Sequence, residues 1–87
     1  MKTKELWLAV KKILFDEWDP IGVNSNPACH EEYDSYAATI VRFLQEGADE
    51  RKIANHLCEL QRVSMGLNAI DEERDHRTAQ ILVNLLR

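Results

Sequence analysis

The side chains that could carry chemistry are few and scattered: Cys29, His30, Glu31 and Glu32 in one run, His56 and Cys58 in a second, Glu73 and His76 in a third. A metal ion needs three or four donors converging from compatible faces. His56 and Cys58 are two residues apart, and at about 100° per residue a helix points them in nearly opposite directions. Glu73 and His76 have the spacing used in carboxylate-bridged di-iron bundles, but those sites need a second such pair and two further glutamates. Nucleophilic catalysis would fall to Ser25, Ser35, Ser64, Cys29 or Cys58, none of which stands in a catalytic signature. The helix dipole would favour a Cys29 thiolate and the neighbouring Glu31 and Glu32 oppose it. Gly22, Gly47 and Gly66 lie too far apart to build a phosphate-cradling loop. The expectation is a chain with no catalytic residues, no metal and no cofactor.

The elements that must position these residues follow from composition and spacing. The chain has 87 residues, 45% apolar and 30% charged, with only 3 Gly and 2 Pro, a balance that fits a helical globule better than turn-rich β structure. Residues 1–87 read as one all-α domain, a compact bundle of four helices with a long loop between the first and second. The first helix is expected from about Thr3 to Glu17, with Leu6, Val10, Ile13 and Leu14 on one face. Leu8 and Phe15 point elsewhere, and Phe15 either covers the following loop beside Trp18 or anchors a partner. Pro20 closes that helix and opens a loop to Cys29. The second helix is expected from about His30 to Glu46, with Tyr33, Tyr36, Ala37, Ile40, Val41 and Leu44 as its apolar stripe. Tyr33 and Tyr36, if buried, need partners for their hydroxyls, and Asp19 or Asp34 can supply them. Gly47 stops the helix, Asp49 caps a third whose stripe is Ile53, Leu57, Leu60 and Val63, and Gly66 stops that one near Met65. His56, beside this stripe, reads first as a half-buried, hydrogen-bonded side chain and second as a pH sensor. The fourth helix starts near Asp71, with Glu72 and Glu73 at the positive end of its dipole and Arg87 near the other. Its first half is polar and its second half, from Ala79 to Leu86, is apolar around much of its circumference, which leaves a homo-oligomer through this helix open.

Charge is more informative than any motif. The formal net charge is −4, and the stretch from Asp16 to Asp34 holds Asp16, Glu17, Asp19, Glu31, Glu32 and Asp34 with no lysine or arginine. Such a chain is ill suited to phosphate neutralisation, so no nucleic-acid partner is expected. Either the acidic stretch is a solvated loop and helix start, or it steers a cationic protein partner. Only Leu6-Trp7-Leu8-Ala9-Val10 separates Glu5 from Lys11, too short an apolar run for a signal peptide or a bilayer span. A cytoplasmic location, reduced cysteines and no membrane partner are expected.

The sequence Trp18-Asp19-Pro20-Ile21-Gly22, followed by Glu32-Tyr33-Asp34-Ser35-Tyr36, then Leu57 and Met65-Gly66-Leu67, resembles a family of small bacterial helical proteins over roughly residues 12–86. Two departures from its pattern stand out: Cys29-His30-Glu31 replaces a plainly acidic or small stretch, and Ser64 replaces a charged residue. Some members of that family resemble immunity proteins of bacterial toxin systems, including contact-dependent growth inhibition. The resemblance implies a helical fold without enzymatic activity and a toxin as partner.

Together these readings give a small acidic protein that neutralises a cationic toxin domain by direct binding. Its candidate contacts are Asp16, Glu17, Asp19, Glu31, Glu32 and Asp34, with Phe15 and Trp18 as apolar anchors. Trp18, Asp19, Pro20, Gly22, Tyr33, Tyr36, Gly47 and Gly66 read as a structural motif, with Trp18 and Asp19 in both sets. A housekeeping or regulatory homo-oligomer is the alternative, and a small metal-dependent enzyme the third reading.

Overall fold

The computed structural model describes residues 2–22 and 31–86. Helix α1 spans Thr3–Ile13 and runs on through a π-helical turn, Leu14–Trp18. Helix α2 spans Asp34–Gln45, α3 spans Glu50–Glu59 and continues through a second π turn, Leu60–Ser64, and α4 spans Glu72–Asn84. The chain is all-helical, with no strand among the described residues. Helix α1 packs on α2, α3 packs on α4, and the π end of α1 packs on α4 to close the bundle.

The starts and stops follow the side chains. Asp49 and Asp71 accept the backbone N–H of Lys52 and Arg74 at 2.9 and 3.0 Å, so two of the four helices carry a side-chain cap. Helix α2 ends in a Schellman arrangement: Ala48 N–H reaches the Phe43 carbonyl at 2.9 Å and Gly47 N–H the Leu44 carbonyl at 3.1 Å. Gly47 sits at φ +82°, which side chains with a Cβ adopt only under strain. Asp19, with φ +33°, closes the first π turn, and its N–H bonds the Leu14 carbonyl at 2.8 Å.

One apolar cluster draws on all four helices. Leu6, Val10, Leu14 and Trp18 repeat every four residues, a step that drifts by about 40° per turn in a regular α-helix. The wider π turn takes more residues to come round, so Trp18 stays aligned with Leu14 and is only 2% exposed. The helix therefore reaches one residue past the expected end at Glu17.

Two expectations are corrected. The second helix does not begin at His30: His30 lies outside the described residues, Glu31 to Tyr33 form a turn, and Tyr33 has non-helical φ and ψ. Val63 does not join the stripe of α3 and is 76% exposed, whereas Gln61 is fully buried. On a helix, Gln61 falls four residues after Leu57 and so nearer the centre of the stripe, and the π turn swings Val63 further out. The first half of α4 keeps its polar composition up to Thr78, but that polar half is not all at the surface, since Asp75 and Thr78 are completely buried, a burial not expected from the sequence. The expected place of Arg87 at the end of α4 lies outside the described residues.

Candidate functional site

Six acids, Phe15 and Trp18 make up the surface expected to meet a partner, and the fold treats them differently. Lys11 pairs with Asp34 across α1 and α2 at 2.8 Å, both half-buried, and Lys12 pairs with Asp16 one turn along α1 at 3.0 Å, both exposed. The first pair is the more consequential, since exposed pairs are worth about 0–1 kcal/mol. Asp19 accepts the Tyr33 hydroxyl at 2.7 Å. Glu17, Glu31 and Glu32 are exposed and form no ion pair among the described residues. The Asp19–Tyr33 and Lys11–Asp34 ties bring Glu31 and Glu32 to the end of α1 that carries Glu17. Glu17 and the adjacent pair Glu31 and Glu32, distant in sequence, are thus drawn toward the same end of the bundle.

Tyr33 is the centre of this end. Its ring lies 4.8 Å from Phe15, 5.5 Å from Trp18 and 6.1 Å from Tyr36, centroid to centroid. Burial, with the adjacent Asp19 carboxylate, pushes its phenol well above the ordinary range, so it stays a proton donor. Phe15 is half-buried against this cluster. Trp18 offers a partner no exposed ring; it occupies the structural place of its motif. Pro20 is half-buried, and Gly22, with φ +66°, ends the described part of the loop. Replacing Tyr33 by Phe removes one partly buried hydrogen bond and should cost about 1–2 kcal/mol of stability, measured by urea unfolding.

A polar core that sequence reasoning missed lies behind this surface. The Asp75 carboxylate accepts the Trp18 indole N–H at 2.8 Å, the Gln61 amide Nε2 at 2.9 and 2.8 Å on its two oxygens, and the Cys58 thiol at 3.0 Å. Each of these neighbours donates, and the Asp75 oxygens accept from all three. Arg74 donates to Gln61 Oε1 at 3.2 Å and Gln61 Nε2 also reaches the Leu57 carbonyl at 3.0 Å, which fixes the amide with its nitrogen toward Asp75. Trp18 and Gln61 each come from a π turn. Both irregular turns therefore deliver a donor to the same buried carboxylate. The available signal was spacing: Asp75, Thr78, Ala79 and Leu82 follow the i, i+3, i+4, i+7 pattern of a core stripe, and Gln61 falls on the line of Ile53 and Leu57.

The chemistry of this core is inert. Burial, then the hydrogen bond and charge of Asp75, push the Cys58 thiol up to about 12, so almost no thiolate exists near neutrality. Alkylation of Cys58 by iodoacetamide at pH 8 should run at least about 10-fold slower in the folded protein than in urea, measured by mass spectrometry on peptides. The sign for stability follows: below the unfolded thiol's range the contribution is intact, and it is lost as pH rises toward 12 because only the unfolded thiol ionises readily. Among the described residues no three His, Cys, Asp or Glu side chains converge as a metal site, and Glu73 and His76 are exposed. Cys29 and His30 lie outside those residues.

His56 is half-buried with the edge of its ring against Phe43, centroids 4.9 Å apart. Its Nε2 is buried without a hydrogen-bond partner among the described residues, where a bonded histidine is expected. Burial lowers its pKa against the opposing pull of Glu59, and Arg42 lowers it further. No helix among the described residues is long and apolar enough to cross a membrane. Val83, near the end of α4, is half-buried, and Leu86, in the turn that follows the helix, is 46% exposed. Compared with family models, curated proteins and solved structures, the chain matches none.

Proposed function

We propose that this chain is a small binding protein that neutralises a cationic protein partner, a bacterial toxin domain, by docking it on the acidic end of the bundle. The observation that carries this reading is that Glu17, Glu31 and Glu32 are exposed and without ion pairs among the described residues, on segments tied together by the aromatic cluster and the Asp19–Tyr33 hydrogen bond. Carboxylates on a rigid support attract a basic surface without first having to break pairs of their own. The WDPIG, EYDSY and MGL motifs resemble a family of small bacterial helical proteins, some of whose members resemble immunity proteins of toxin systems, and this resemblance favours a toxin over other basic proteins. An inhibitor of this kind needs complementarity of shape and charge rather than reactive groups, in keeping with an unreactive Cys58 and a Tyr33 held as a donor.

The test is capture of partners from the native cells, with the toxin genes induced, at low and at high salt, followed by mass spectrometry. A basic protein that is toxic when expressed alone, recovered in stoichiometric amount at low salt and lost at high salt, is the expected result. Recovery of the protein by itself under both conditions would count against the proposal and favour a self-associating module, for which the exposed Leu86 beside Val83 gives the surface.

A further inference from the structure

A groove of about 530 Å³ lies between the N-terminal half of α1 and the outer face of α2, within the range of small-molecule sites. The apolar residues of its lining are Trp7, Ala38 and, nearly buried at its floor, Val41. Ala38 opens it: a small residue, exposed, stands where a longer side chain would fill the space beside the indole.

The walls are held in place before anything binds. The Trp7 indole N–H donates to the Asp34 carbonyl at 3.3 Å, and the Lys11 ammonium lies 5.2 Å from the ring centroid. Gln45 Nε2 donates to Thr3 Oγ1 at 3.0 Å, a clasp from α2 to α1 along the same groove. A preformed wall spares a ligand the cost of ordering it. Lys4 and Arg42 also line the groove, and neither has an ion pair among the described residues, although Arg42 lies 5.6 Å from the Phe43 ring. Apolar surface beside two cations without carboxylate partners is complementary to an apolar chain that ends in a negative charge.

We infer that the groove binds a small amphiphilic carboxylate, its chain on Trp7, Ala38 and Val41 and its carboxylate between Lys4 and Arg42. From Ala38 to Gln45 the groove follows α2 for about 10 Å, at 1.5 Å per residue, which suits a medium-length acyl chain rather than a partner helix. This site is distinct from the acidic end, since Lys4 and Glu17 are about 20 Å apart along α1.

Octanoate is the probe, titrated to about 2 mM into the isotopically labelled protein and followed by NMR. The expected result is saturable shifts at Ala38, Val41 and the Trp7 indole, with octylammonium binding at least about 10-fold more weakly. Lys4→Gln with Arg42→Gln should weaken octanoate about 10-fold while leaving octanol unchanged. Ala38→Trp should abolish binding; Ala38→Leu, a smaller filler, provides the same reading if the first variant melts early. Absence of shifts with octanoate, equal binding of octylammonium, or binding indifferent to both Ala38 variants would overturn the inference. So would concentration-dependent shifts at the same residues without ligand, which would assign the groove to a second copy of the chain.

Discussion

Replacing Asp75 by Ala should destabilise the protein by about 3–5 kcal/mol, a large part of the roughly 5–15 kcal/mol that holds a domain folded. The carboxylate is fully buried and accepts from three side chains on three segments: Trp18 at the end of α1, and Cys58 and Gln61 from α3 and its π turn. Hydrogen bonds to a charged acceptor contribute about 1.5–3 kcal/mol each, and the donors left behind would have no water to turn to. Asp75→Asn separates charge from shape. It keeps the volume but places an amide nitrogen against that of Gln61, and it should cost about 2–3 kcal/mol. Urea unfolding followed by tryptophan fluorescence reads both changes as a shift in midpoint at constant slope. A loss under about 1 kcal/mol for the alanine variant would mean that Asp75 is solvated and the network is not what joins the helices.

The second large effect concerns binding. Reversing all three charges, with Glu17→Lys, Glu31→Lys and Glu32→Lys in one variant, should slow association with the captured cationic partner about 100-fold at low salt. The difference should shrink as salt rises, because the screening length is about 10 Å at 0.1 M and about 3 Å at 1 M. Dissociation should change less than association, as rim charges act mainly on encounter. None of the three residues is paired or buried, so thermal unfolding should stay within a few degrees of the parent. An unchanged association rate at low salt would remove the acidic end from the account. By contrast, reversing Asp34 would be a poor test, since it breaks the half-buried tie to Lys11 and disturbs the junction of α1 and α2.

What the sequence reveals and what it hides have separate physical causes. Leu6, Val10 and Leu14, the stripe of α2, and the caps Asp49 and Asp71 are legible because apolar spacing and capping chemistry are local signals. Tyr33 finding Asp19 is legible too, since a buried hydroxyl must have a partner and two acids are within reach. Asp75 and Gln61 escape because a stripe is sought among apolar residues, and a buried polar pair breaks the pattern while keeping its spacing. The π turns escape for a different reason. A turn widened by tertiary packing leaves no mark of its own in residue types, and Val63, apolar and nearly in register, is then assigned to a face it does not occupy. The acidic run is visible as composition, yet its division into Asp16 and Asp34 with lysine partners, Asp19 with Tyr33, and Glu17, Glu31 and Glu32 without pairs depends on contacts between helices. His56 lies between these cases. Its position beside the apolar stripe is local, but its contact with Phe43 joins two helices and cannot be read from spacing along one.

The proposed function is tested most directly by protection. Cells expressing the captured basic partner at a level that arrests growth would be supplied with the parent protein or with the triple charge reversal, both confirmed as folded and equally abundant. The account predicts that the parent restores growth and the reversal does not, with restoration recovered when matching charges on the partner are reversed in turn. Equal protection by both proteins, or none by the parent although it binds the partner, would contradict it.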